Sequence, residues 1–149
     1  MTHDALRRGR VSLPGQVYAI TTVTDGRCPC FHDFGLARVV VAEMRRMHDE
    51  GWVDSMAWVL MPDHLHWLFQ LQELRPLGEV VKAFKARSAL AVNRRLGRQG
   101  AVWQKAFHDR AIRREEDLAS IARYIVANPL RAQLVPRVSD YPHWDAVWL

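Results

Sequence analysis

Hydrophobic and polar residues recur along the chain with two different periods, and each period predicts a type of secondary structure. From Gln16 to Thr24 the chain alternates loosely and is rich in Val, Ile, Thr and Tyr, which predicts a first strand. Between residues 33 and 50 the apolar residues recur at helical spacing, and Gly51 follows a basic end. This part of the chain therefore predicts a strand followed by a helix.

The middle of the chain predicts a hairpin and a long helix. Two strands are expected from about Val53 to Met61 and from His64 to Leu71, because Pro62-Asp63 breaks the run between them. Strands separated by so short a break are expected to pair as a hairpin. An amphipathic pattern then extends from Leu77 to Leu96, and Gly97 supplies a typical helix end.

The last part of the chain completes the predicted order of elements. Ala101 to Ile112 is expected to be extended, and the acidic run Glu115-Glu116-Asp117 begins a last helix that ends near Ala127. The resulting order predicts an α+β fold, a ferredoxin-like antiparallel sheet (β-α-β-β-α-β) with helices on one face plus a C-terminal helix. We expect one domain over residues 1–149, with a tail over 133–149 that shows no clear period.

Positive charge is concentrated in the middle of the chain. The formal net charge is +5, with 21 Lys and Arg against 16 Asp and Glu. Residues 75–114 contain eleven Lys and Arg and only two acidic residues, which favours an anionic partner such as DNA. The alternative is a solvated helix face. The predicted helix carries the basic candidates Lys82, Lys85, Arg87, Arg94 and Arg95.

Three further features limit or leave open the class of protein. No apolar run approaches the roughly 18 residues of a membrane span, and the charged start of the chain leaves no room for a signal peptide. We therefore expect a cytoplasmic protein with no membrane partner. Cys28 and Cys30 are too close in sequence for an easy disulfide and are expected to be reduced. Trp103 and Phe107 could either stack bases or pack in the core.

The run His64-Leu65-His66 is the first candidate for chemistry. Side chains alternate across a strand, so His64 and His66 share one face while Leu65, Trp67 and the following odd-numbered apolar residues form the other. Two imidazoles side by side can bind a divalent ion. Two solvent-facing histidines are the alternative, and a zinc hydrolase would need a third strong ligand that is not obviously present.

Tyr124 is the second candidate, on the last predicted helix. It lies away from the apolar stripe of that helix, and Asn128 follows four residues later on the same face. A tyrosine at the rim of the core is the alternative explanation for Tyr124. Asn128 could instead be the N-cap of a short helix beginning at Pro129.

Three motifs in order resemble one family. The run Met61–Trp67, the segment with Trp103-Gln104 and Phe107–Asp109, and the run Tyr124–Pro129 are together similar to the REP-associated tyrosine transposases, relatives of the single-tyrosine HUH transposases. The likeness extends from about Leu13 to Val135.

The resemblance implies a catalytic domain that cuts hairpin-containing single-stranded DNA, the palindromes called REP elements. It implies Mg²⁺ or Mn²⁺ bound by His64 and His66, with Asn128 where relatives supply a third polar ligand. Tyr124 would be the nucleophile, leaving a 5′-phosphotyrosine and a free 3′-hydroxyl.

The alternative function is a hairpin-DNA-binding architectural or regulatory protein that does not cut. For an active enzyme we expect a monomer with Tyr124 acting in its own chain, a dimer being the other possibility. The expected location is the cytoplasm, in association with the nucleoid.

Overall fold

The computed structural model describes residues 12–113 and 116–148 and contains one sheet with helices on both faces. The strands are β1 (Val17–Val23), β2 (Val53–Leu60), β3 (His64–Leu71), β4 (His108–Ala111) and β5 (Trp144–Ala146). The helices are α1 (Phe34–Asp49), α2 (Leu77–Leu96), α3 (Leu118–Val126) and α4 (Asn128–Arg131). Short 3-10 turns occupy Asp25–Arg27, Cys30–His32 and Val138–Asp140.

The sheet is antiparallel throughout, with the strand order β4-β1-β3-β2-β5. The α+β class, the antiparallel sheet and the β2–β3 hairpin are confirmed. β2 contains an irregularity between Ser55 and Ala57, where its register against β3 shifts by one residue. β3 is the central strand of the sheet, with β1 on one side and β2 on the other.

Two segments differ from the predicted elements. The expected extended segment from Ala101 to Ile112 forms a ladder only in β4, because the residues before it meet the sheet at a single bridge, between Thr24 and Trp103. The tail, predicted to lack a clear period, adds β5 beside β2. It is held there by the Tyr141 hydroxyl, which donates to the Leu60 carbonyl at 2.6 Å.

The main core lies between one face of the sheet and helices α1 and α2. The apolar face of β3 predicted from alternation is buried here, including Leu65 and Trp67. Trp103 and Phe107 also belong to this core, and the Trp103 indole donates to Ser88 Oγ at 2.9 Å. Core packing is therefore the correct explanation of these two aromatic residues, and base stacking is not.

Helix α3 packs on the opposite face of the sheet. Its N-cap is Asp117, whose carboxylate accepts from the backbone of Ala119 at 3.0 Å. Glu115 of the predicted helix start lies outside the described residues. The residues that join α3 to this face are mainly small or branched: Ala57, Val59, Leu68, Ile112, Ala122, Ile125 and Val126. Within the described part of the chain, no helix is both long and apolar enough to cross a lipid bilayer.

Candidate active site

His64 and His66 lie at the start of β3, on the sheet face that carries α3. Their ring centroids are 4.9 Å apart and the rings are nearly perpendicular, at 89°. His64 Nδ1 is 2.7 Å from Asp63 Oδ1, and His66 Nδ1 is 2.9 Å from Thr21 Oγ1. With the proton on each Nδ1, both Nε2 atoms present a lone pair, which is how metal-binding histidines are usually held.

The positions of Thr21 and Asp63 follow from the backbone. Thr21 pairs with His66 in the β1–β3 register, so the two side chains share a face. The Asp63 carbonyl accepts from the Thr24 backbone N–H at 2.9 Å, and the Asp63 carboxylate meets Arg27 at 3.3 Å. Partial burial opposes ionisation of Asp63, but the bonds to His64 and Arg27 hold its pKa below the ordinary value.

The electrostatic environment keeps His66 neutral. Burial lowers the pKa of His66 to about 4, and the electrostatic effects of the neighbouring His64 and Arg131 act in the same direction. An imidazole in this environment carries no proton charge at pH 7 and can offer a lone pair.

Tyr124 lies on the exposed side of α3. Its side chain is 66% exposed, while Ile125 and Ala122 are buried against the sheet, as the apolar stripe predicted. The Arg131 guanidinium lies over the Tyr124 ring at 3.7 Å from its centroid and donates to the Tyr124 carbonyl at 2.7 Å. The same guanidinium is close enough to His66 to affect its pKa. Arg131 therefore links the tyrosine helix to the histidine pair.

Asn128 does not have the structural role that its sequence context suggested. Helix α4 follows α3 with Ala127 as its N-cap residue, in a helical conformation at φ −81° and ψ −1°. Asn128 is thus inside α4, and the N-cap explanation is wrong because no extended residue separates the two helices. The Asn128 amide nitrogen donates to the Ile125 carbonyl at 2.8 Å. The amide oxygen, the atom that can bind a metal, takes no part in that bond.

The donor set fits a divalent ion that keeps open coordination positions. Two imidazoles and an amide oxygen are suitable ligands for Mn²⁺ or a similar ion, whereas a closed zinc site needs four strong ligands. Across residues 12–113 and 116–148, no three His, Cys, Asp or Glu side chains are placed to hold a metal together. Any ion held by His64 and His66 therefore depends on an amide, a solvent molecule or a substrate oxygen.

The predicted DNA-binding residues on α2 lie across the sheet from the histidine pair, because α2 covers the other face. Two of them bind within the protein. Lys85 Nζ donates to the carbonyls of Gln104, Lys105 and Ala106 at 2.7, 3.2 and 2.9 Å.

Arg87 forms ion pairs with Glu43 at 3.0 Å and Glu50 at 2.9 Å. Lys82, Arg94 and Arg95 are exposed, although the Arg95 guanidinium rests against Gly35, where a Cβ would collide with it. The five basic residues therefore do not form one surface with the candidate active site.

Sequence reasoning missed three residues of the site. Asp63 could have been noticed, since it directly precedes His64 and is the acidic neighbour of a predicted metal ligand. Thr21 could be found only from the register of β1 against β3. Arg131 lies seven residues after Tyr124, about two helical turns, but its contact depends on how α4 follows α3.

The chain and its fold have known relatives. The family model of IS200-like transposases matches residues 14–128, and the chain belongs to this family. A REP-associated tyrosine transposase from Escherichia coli is 31% identical over 91 residues, 58% of this chain and 50% of that protein. A Haemophilus influenzae relative, provisionally given the same name, is 29% identical over 106 residues, 60% of this chain and 57% of its own length. The chain spans about half the length of these curated relatives.

A solved structure shares the fold. It is described as a REP-associated tyrosine transposase bound to a REP hairpin, and it matches with a TM-score of 0.74 at 22% identity. The match covers 91% of this chain and 79% of the other. The resemblance inferred from the three sequence motifs is therefore confirmed.

Proposed function

We propose that this protein nicks and rejoins hairpin-containing single-stranded DNA of the REP type, with Tyr124 as its nucleophile. The observation that carries the proposal is the placement of an exposed tyrosine on the helix that packs against the same sheet face as two oriented histidines. The family and the hairpin-bound structural neighbour point to the same substrate class.

The cleavage step joins the Tyr124 oxygen to phosphorus and breaks the bond from phosphorus to the 3′-oxygen. The phenol loses its proton, the 3′-oxygen leaves as a hydroxyl after gaining one, and the tyrosine keeps the 5′-phosphate. The phosphodiester energy is conserved in that linkage, so a 3′-hydroxyl can reverse the step without ATP.

The chain's own residues prepare the site for this step. Thr21 and Asp63 hold the Nδ1 side of each ring, which directs Nε2 of His66 and His64 outward. Asn128 is the candidate third ligand through its amide oxygen. A bound Mg²⁺ or Mn²⁺ supplies Lewis-acid polarisation of the phosphate and neutralises part of its charge.

A covalent adduct is the direct test. The protein is incubated with hairpin-bearing single-stranded DNA and Mn²⁺, and we expect a protein–DNA band that resists denaturant. Tyr124→Phe should abolish that band. Tyr141→Phe is the matched control, since the Tyr141 hydroxyl is bonded to the Leu60 carbonyl inside the fold and should not be needed.

Two outcomes would contradict the proposal. An adduct that persists in Tyr124→Phe would exclude this tyrosine as the nucleophile. Hairpin binding without cleavage, across several metals and cognate hairpins, would instead favour an architectural or regulatory DNA-binding protein.

We infer that a single chain completes its own site. Arg131 contacts Tyr124 and also lowers the pKa of His66. The tyrosine and the histidine pair therefore lie near the same arginine of one chain. Mixing inactive His64→Ala protein with inactive Tyr124→Phe protein should therefore restore no cleavage. Restored cleavage would mean that the tyrosine helix acts in a partner chain.

A further inference from the structure

Arg131 contacts Tyr124 in two ways at once. The flat guanidinium covers the ring at 3.7 Å from the centroid, and one of its nitrogens donates to the Tyr124 carbonyl at 2.7 Å. A stacked arginine keeps its outer N–H donors in the plane of the group, pointing away from the ring. The stacking therefore fixes the guanidinium without using all of its hydrogen-bonding capacity.

Helix α4 fixes the backbone from which Arg131 extends. The Arg131 N–H donates to the Ala127 carbonyl at 3.0 Å, so the residue is held within the turn that follows α3. Pro129 is buried and is the second residue of α4, which favours this helical start. Arg131 thus has a defined position relative to α3.

Within residues 12–113 and 116–148, no carboxylate pairs with the Arg131 guanidinium. Other arginines of the chain meet carboxylates, such as Arg27 with Asp63 and Arg137 with Asp140, both at 3.3 Å. Among the residues that the structure describes, none of the ion pairs includes Arg131. An exposed cation stacked on the proposed nucleophile is suited to a phosphate dianion or diester.

We propose that Arg131 binds the phosphate that Tyr124 attacks, through the guanidinium donors that face away from the stacked ring. This inference rests on the proposed function. Arg131 stays protonated throughout the step and donates to the non-bridging oxygens, whose negative charge increases as the tyrosine oxygen bonds to phosphorus. Its stacking on Tyr124 brings nucleophile and phosphate into one arrangement.

The experiment measures the single-turnover rate of adduct formation and, separately, the affinity for the hairpin. In Arg131→Gln we expect the rate to fall about 100-fold or more, with hairpin affinity changed by less than about threefold. Arg131→Lys should recover only part of the rate, because an ammonium keeps the charge but loses the planar stack. Arg137→Gln is the matched control, since it removes an arginine that pairs with Asp140, and its rate should equal that of the unmodified protein.

Chemical rescue separates a role at the phosphate from a role in folding. Millimolar guanidinium added to Arg131→Ala should raise the adduct rate at least about tenfold, which repair of a folding defect would not produce. No adduct with the unmodified protein would refute the proposed function itself. An adduct formed by Arg131→Gln at the unmodified rate, or a slow Arg131→Ala that guanidinium does not rescue, would overturn the role of Arg131 alone.

Discussion

Thr21 and His66 face each other across β1 and β3, with the threonine hydroxyl 2.9 Å from His66 Nδ1. The orientation of the imidazole is therefore set by the register of β1 against β3. The next residue, Thr22, points to the other face of the sheet, where its hydroxyl is buried without a partner among the described residues. Substitutions at these two adjacent threonines therefore serve as a test and its control, because Thr21 contacts a candidate metal ligand and Thr22 lies on the other face of the sheet.

Thr21→Val should weaken binding of the proposed metal ion, because it removes the hydroxyl that contacts the His66 ring. Loss of such an outer partner commonly reduces metal affinity or activity by about 10–100-fold. We expect a higher Mn²⁺ concentration for half-maximal adduct formation, measured by titration.

Thr22→Val is the matched control, and its Mn²⁺ requirement should not change. Its free energy of unfolding should be equal or higher, since an unpaired buried hydroxyl costs about 1–3 kcal/mol. Equal Mn²⁺ requirements for both variants would show that Thr21 does not orient a metal ligand.

Ile125→Ala should slow cleavage by loosening the helix that carries Tyr124, the proposed nucleophile. Ile125 is 6% exposed and anchors α3 to the sheet beside Tyr124, so its truncation should cost about 2–4 kcal/mol in the free energy of unfolding. Leu36→Ala provides a comparable deletion in the core beneath α1, where the residue is 5% exposed. Only Ile125→Ala should reduce the single-turnover adduct rate at a temperature where both variants are folded. Equal slowing in both would point to global stability instead.

The elements that arise from short-range periodicity could be predicted from the sequence, namely helix α2, the two faces of β3 and the exposed side of α3. The structure gives α2 the predicted bounds, Leu77–Leu96, and Gly97 ends it with φ at +64°, a conformation that glycine adopts at little cost. The alternation of apolar and polar residues along β3 likewise predicted which face of the strand is buried in the main core and which face carries the histidines. The exposed position of Tyr124 also followed from one helical stripe.

Contacts between distant segments could not be predicted in the same way. The three-residue strand β5 has too few residues to show a period, and it is defined by its pairing with β2. Lys85 was assigned to DNA from its charge, but it binds carbonyls about twenty residues further along the chain. Its contacts depend on how the segment after α2 returns to the sheet, which no short window of sequence contains.

Arg87→Gln and Lys82→Gln should distinguish a basic residue of α2 that stabilises the fold from one that could bind DNA. Arg87 lies 3.0 Å from Glu43, which is buried and also meets Arg46 at 2.7 Å. Arg87→Gln removes one of the cations that pair with the buried Glu43 carboxylate. We therefore expect a loss of about 2–3 kcal/mol in the free energy of unfolding.

Lys82 is exposed, so Lys82→Gln should leave stability within about 0.5 kcal/mol. If Lys82 contacts a phosphate, Lys82→Gln should lower the slope of log hairpin affinity against log salt concentration by about one. Fluorescence anisotropy across a salt series measures this slope. An unchanged slope for Lys82→Gln would remove this residue from the DNA interface, and full stability in Arg87→Gln would contradict its structural role.

His143→Phe should make the protein less sensitive to acid. The His143 ring is buried between Phe34 and Tyr141, at centroid distances of 5.2 and 5.7 Å. Burial, and then the positive charge of Arg38, lower the pKa of His143 below its ordinary value near 6.5. As pH falls through about 6.5, the unfolded chain binds a proton that the folded chain does not, so the free energy of unfolding decreases.

The phenylalanine variant cannot take up that proton, and the new ring at position 143 can still pack against Phe34 and Tyr141. Urea unfolding at pH 7.5 and pH 5 should therefore show a smaller loss of stability for His143→Phe than for the unmodified protein. His66, whose pKa is lowered to about 4, contributes in the same direction in both proteins, so the difference isolates His143. His32→Gln, at an exposed histidine, should show the same acid sensitivity as the unmodified protein. An identical loss in His143→Phe would mean that the buried imidazole does not control stability in this pH range.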